Sequence, residues 1–315
     1  MPAPTAAPRN WLTDIPVLLV AVVWGSSYLA TKEITTSDTV IALLLIRFLI
    51  ALPPLGIAAR RALRRLTAGE LRGGVGLGLI LTVIFLLETY GVVHTSATNA
   101  GLIISLTMIF TPLAEAVLTR TRPRRSFLAA AGVSVLGVAL LTQSGGFTAP
   151  SFGDLLMLLA AIARTANVLV MHRLPAVKNT DDGALTFVQL GTAVVAFAVF
   201  TPFSGETPWQ LAGSFSGGQW LNVVYLSLMC TLFAFFVQLW AVRRSSPSRV
   251  SLLLGTEPLW AAVVGVAIGG DRLGVVGIIG GVLVLAGTTW GRQVAEPTEQ
   301  PQPASAATPL TAAER

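Results

Sequence analysis

The chain alternates between long apolar runs and short polar stretches. The runs cover residues 15–31, 39–58, 73–93, 98–118, 126–143, 154–172, 184–203, 219–241, 249–269 and 272–290. Each approaches the roughly 20 residues that a helix needs to cross a hydrocarbon core. Val40–Leu52 and Leu155–Ala163 are apolar without alternating, whereas a barrel strand would switch faces at every residue. Ten spanning helices are therefore predicted. The first run continues past Ser26 and Ser27 into Tyr28, Leu29 and Ala30, which reads as a span and not as a cleaved leader.

Composition turns this pattern into a class. Only 11% of residues are charged, 53% are hydrophobic and the mean hydropathy is +0.73. A soluble domain carries about 25% charged residues. Ten spans consume about 200 residues of the 315, which leaves no room for a soluble domain. Residues 1–14 and 291–315, rich in Pro, Ala, Thr and Gln, are expected to be disordered cytoplasmic tails. The expected fold is all-α and integral to the membrane, with five helices in 15–143 and five in 154–290. The bilayer is the first expected partner.

The net charge of +6 and pI near 10.4 invite a nucleic-acid reading. Spans interrupt the basic residues, so no continuous footprint forms, and no nucleic-acid partner is expected. With the N-terminus cytoplasmic, seventeen Lys and Arg fall on the cytoplasmic side and two, Lys32 and Arg272, on the other. That split is an orientation signal. It places both termini in the cytoplasm and the chain in the inner membrane. One cysteine, Cys230, and two histidines do not make a metal site, so neither metal nor other cofactor is expected.

The two halves also echo each other. A shift of 140 aligns Asp14, Leu18, Leu19, Ala21 and Leu29 with Asp154, Leu158, Leu159, Ala161 and Leu169. A shift of 150 aligns Phe85, Val92, Ser96, Leu102, Arg122 and Gly137 with Phe235, Val242, Ser246, Leu252, Arg272 and Gly287. Five spans per half would insert the second half upside down, giving the inverted repeat of many secondary transporters, whose substrate site lies between the halves.

Several motifs carry a family likeness. They are Trp24-Gly25-Ser26-Ser27-Tyr28, Arg47-Phe48, Thr95–Ala100, Gly153-Asp154-Leu155-Leu156, Trp240–Arg244, Glu257-Pro258-Leu259-Trp260 and Gly270-Asp271-Arg272-Leu273. In order and spacing they resemble the EamA type of the drug/metabolite transporter superfamily. The resemblance implies ten helices in two five-helix repeats and transport of small metabolites across the inner membrane. Against the family pattern, Met108 stands where a proline is common, opposite Pro258, and Arg164 stands where an aromatic residue is common.

Ionisable groups deep in a span are costly and usually face a cavity or a partner. Arg164 shares a helix face with Asn167 and Met171, and under the shift of 140 that face matches Trp24, Ser27 and Thr31, with Tyr28 beside them. Arg164 either binds the carboxylate or phosphate of an anionic or zwitterionic substrate or forms a buried ion pair with Glu88 or Glu257. Glu88, opposite Gln238 under the shift of 150, reads as a cavity residue for an ammonium group or a proton. Arg47 reads as a structural anchor, and Glu257-Pro258 as a helix interruption. Thr107, Thr111 and Glu115 form an i, i+4 stripe. The Gly-x3-Gly pairs at 74/78, 265/269 and 277/281 permit close helix approach, within the chain or in a homodimer.

The function expected is a secondary transporter, exporting a small amphipathic metabolite by alternating access. The alternatives are a membrane-embedded enzyme, for which no triad or ligand spacing is found, and a non-transporting scaffold.

Overall fold

A computed structural model describes residues 11–120, 122–141, 150–203, 205–242 and 253–295. Every regular element among them is helical. The first half holds α1 (Trp11–Ile34), α2 (Val40–Leu63), α3 (Ala68–Val93), α4 (Ala97–Ile104), α5 (Thr107–Thr119) and α6 (Arg125–Leu141). The second holds α7 (Phe152–Arg173), α8 (Asp182–Phe200), the short α9 (Pro208–Ser214), α10 (Gly217–Val224), a π-helical segment (Tyr225–Phe233), α11 (Ala234–Val242), α12 (Glu257–Ala267) and α13 (Val275–Ala295). Seven described helical stretches are long and apolar enough to cross a membrane; Arg125–Leu140, Glu257–Ala267 and Val275–Gly291 are shorter apolar helices. The predicted runs and observed helices coincide closely, but the fourth and ninth runs are interrupted and the eighth contains the π segment.

Local chemistry sets the helix starts. Thr67 and Glu70 form a capping box at α3, and Ser151 and Asp154 form one at α7. Each box satisfies amides that no preceding turn can reach. Along α7 one face carries exposed Leu155, Leu159 and Ile162, while Met157, Ala160 and Ala161 are buried. Apolar residues on the outside suit a lipid solvent, because hydrocarbon takes the place of water there.

The helices of one half pack on those of the other. α6 lies along α13, α2 along α8, α3 along α7 and α8, α1 along α12, and α5 along α7. α1 also packs on α11, and both α1 and α2 on the π segment. Glycines make the closest approaches possible. A Cβ at Gly25 would stand 2.7 Å from the Ala261 amide nitrogen, so α1 can seat on α12 only with hydrogen there. Gly74 and Gly78 face Val188 and Thr192 of α8, and Gly265 faces Thr98. These small-residue faces are thus filled from within the chain.

Both interrupted runs break in the same way. Leu106 N donates to Ile103 O at 3.1 Å, Ile109 N to Leu106 O at 2.9 Å and Phe110 N to Leu106 O at 2.8 Å. Shifted by 150, the same bonds recur: Thr256 N to Leu253 O at 3.1 Å, Leu259 N to Thr256 O at 3.0 Å and Trp260 N to Thr256 O at 3.3 Å. The second half-helix then starts at Thr107 in one case and at Glu257 in the other.

Candidate functional site

A cavity of about 380 Å³ lies where α1, α2, α3, α5, α7, the π segment and the start of α12 converge. Trp24, Ser27, Tyr28, Arg47, Glu88, Arg164, Asn167 and Glu257, all singled out from the sequence, line it. The side chain of Gln238 lies outside the described residues. The matched faces of the first and sixth runs, with Thr31 included, share one cavity, except that Met171 is exposed and does not line it. The volume falls within the 300–1,000 Å³ usual for small-molecule sites.

α1 presents Trp24, Ser27, Tyr28 and Thr31 as one helical stripe, the spacing of a single face. Trp24 Nε1 donates to the Cys230 carbonyl at 2.9 Å, inside the π segment. Tyr28 donates its hydroxyl proton to Glu257 Oε1 at 2.8 Å. Ser27 Oγ bonds back to the Trp24 carbonyl at 2.7 Å.

The charged groups are treated unequally. Arg164 Nε donates to Glu88 Oε1, joining α7 to α3 in an ion pair. Glu88 is buried, but the Arg164 side chain remains 37% exposed, so the cavity gives access to it. Among the described residues Arg47 Nη2 reaches only the Thr231 hydroxyl, at 3.4 Å, and the guanidinium lies 5.6 Å from the ring centroids of Phe48 and Phe85. Its Nε is buried without a partner, as is Asn167 Oδ1.

Several lining residues carried no sequence signal as a site, among them Cys230, Thr231, Phe85 and Phe235. The first two are placed by the π segment. Thr107 of the predicted stripe lines the cavity, and Thr111 lies 3.4 Å from Thr165 of α7, whereas Glu115 is exposed.

A second polar cluster joins helix ends. Lys32 Nζ donates to the Thr95 carbonyl at 2.5 Å, Thr95 Oγ1 to Asp154 Oδ1 at 2.5 Å, and Asn99 Nδ2 to the same oxygen at 3.3 Å. The Thr98 amide donates to Asp271 Oδ2 at 2.9 Å. The Thr95–Ala100, Gly153-Asp154 and Gly270-Asp271 motifs thus meet as an inter-helix tie, away from the cavity wall.

Apolar membrane helices enclosing a small-molecule cavity lined by charges of both signs define a membrane transport protein. The EamA-like transporter family matches residues 11–143 and again 151–290. The chain belongs to that family and is a multi-pass membrane transporter; the family and the relatives named below are transporters, not enzymes. An uncharacterized transporter of Archaeoglobus fulgidus is 25% identical over 291 residues, covering 88% of this chain and 96% of that protein. A protein of Streptantibioticus cattleyicolor named a probable terminal-alkyne amino-acid exporter is 25% identical over 279 residues, covering 88% of each chain. A solved crystal structure matches the fold with a TM-score of 0.61 at 20% identity, covering 90% of this chain and 98% of the other.

Proposed function

We propose that the chain is a secondary exporter of small zwitterionic, amino-acid-like metabolites, working by alternating access between two inverted five-helix halves. The observation that carries this is the cavity, walled by both halves and lined by two arginines and two glutamates. The recurrence of the helix-break hydrogen bonds at a shift of 150 supports the repeat, as does the packing. Exchanging each helix of one half for its counterpart turns α3 on α7 into α11 on α1, and α1 on α12 into α7 on α5; both members of each exchange are observed. The family model, matched once in each half, agrees. The relative named an amino-acid exporter supports the substrate class and direction. The uneven distribution of Lys and Arg supports cytoplasmic termini in the inner membrane.

In this reading Glu257, held only by the neutral Tyr28 hydroxyl among the described contacts, receives the ammonium group. The Glu88–Arg164 pair braces α3 against α7. Counterflow in proteoliposomes tests the reading: preloading with unlabelled amino acid is expected to accelerate uptake of the labelled one. Folded protein that exchanges no member of an amino-acid panel overturns it.

A further inference from the structure

We infer that Arg47, and not Arg164, takes the carboxylate of the transported molecule, so that the cavity selects a monoanionic carboxylate over its ester. This rests on the cavity being the transport site. The sequence offers Arg164 for the anion and Arg47 as an anchor. The pairing in the structure favours the reverse.

Arg164 already faces a carboxylate, Glu88. The two charges neutralise each other, and the planar guanidinium has spent its Nε donor. No carboxylate among the described residues lies within ion-pair distance of Arg47. A guanidinium carries five donors in a rigid fork. That of Arg47 has one long bond, to Thr231, while its Nε is buried with no acceptor. Arg47 is half-buried and lines the cavity; with no carboxylate in contact, its charge is matched only at a distance, and the rings of Phe48 and Phe85 add only a weak cation–π attraction. The donors of Arg47 that reach the cavity are open to an anion entering it.

The rest of the wall narrows the ligand. Arg164 keeps donors toward the cavity, but Glu88 already matches its charge; one unmatched guanidinium charge remains for an incoming anion, which suits a carboxylate better than a dianionic phosphate. Glu257 supplies the matching negative charge, and Asn167 Oδ1 is buried and lacks a donor. Leu81, Ile84, Phe85 and Val168 offer apolar wall between these groups. A molecule with a carboxylate, an ammonium and an apolar side chain satisfies all of them.

The test is thermal-shift binding in detergent, with L-leucine and L-leucine methyl ester as probes, because a ligand of the folded state raises its apparent stability. Wild type is expected to favour the acid by about 10- to 100-fold in apparent Kd, the range for a hydrogen-bonded charge. Arg47→Gln is expected to abolish that preference while still binding the ester within about threefold of wild type. The double variant Glu88→Gln/Arg164→Gln is expected to keep the preference, and it remains informative if Arg47→Gln does not fold. An acid preference that persists in Arg47→Gln, or disappears in the double variant, overturns the assignment to Arg47 alone. Folded wild type that binds neither leucine nor its ester overturns the amino-acid reading of the cavity as well.

Discussion

The two interrupted helices share hydroxyl–carbonyl bonds at the break and differ in what is added to them. In the first half the break between α4 and α5 holds no proline; Ser105 Oγ bonds the Leu102 carbonyl at 2.6 Å and Thr107 Oγ1 bonds the Ile104 carbonyl at 2.8 Å. The hydroxyls thus occupy carbonyls that the next helical turn would otherwise take. In the second half Thr256 Oγ1 likewise bonds the Leu253 carbonyl at 2.7 Å, and Pro258 is added at the start of α12. Its ring would clash with the carbonyl four residues earlier, and it has no amide to offer. The place of the break is therefore a property of the architecture, and proline reinforces a hydroxyl–carbonyl device that both halves share. The group delivered to the cavity also differs, a hydroxyl at Thr107 and a carboxylate at Glu257.

That contrast can be broken at several points. The largest effect is expected from Glu257→Gln, which removes the one charge that distinguishes the two breaks. Counterflow should fall by about 10- to 100-fold, as befits a hydrogen bond to a charged group; near-wild-type exchange would make the two starts equivalent. Next comes Ser105→Ala combined with Thr107→Val. Leaving buried carbonyls without donors costs about 1–3 kcal/mol each, so a clear drop in detergent melting temperature is expected, and an unchanged melt would show that the hydroxyls do not hold the break.

Pro258→Ala should matter less. Since the first half breaks without proline, the variant is expected to stay within about 1 kcal/mol of wild-type stability and to keep transporting. Complete loss of transport in folded Pro258→Ala would show that the proline is indispensable. An effect of similar size is expected from Met108→Pro, which copies the second half into the first. It removes the 3.0 Å bond from Met108 N to Ser105 O, a net loss of about 0.5–1.5 kcal/mol. A much larger loss, read from the same melts, would mean that the two breaks differ in backbone shape.

The sequence reveals much of this and conceals a definite part. Apolar length locates the helices because a span needs a fixed number of residues. Costly intramembrane charge identifies Arg164, Glu88 and Arg47 as residues that need a partner or a cavity. Which of them satisfy one another is a tertiary fact: nothing in the chain says that Arg164 meets Glu88 and that Arg47 meets only Thr231. The Cys230 carbonyl is hidden for another reason. A backbone group carries no residue signature, and the apolar stretch Tyr225–Phe233 reads as ordinary helix. The Glu257-Pro258 interruption is visible through its proline, whereas the break at Ser105 lies behind hydroxyls that are common on buried helix faces.

The π segment gives its helix a reserve of register. With bonds spanning five residues instead of four, it holds chain that a regular helix would not need. Letting that surplus pass by a single residue would turn everything beyond it by about 100°, the angular step of an α-helix. Phe235, which lies beyond the segment, would swing off the cavity wall. The lining could therefore be exchanged by a local twist, with the helix axes left in place.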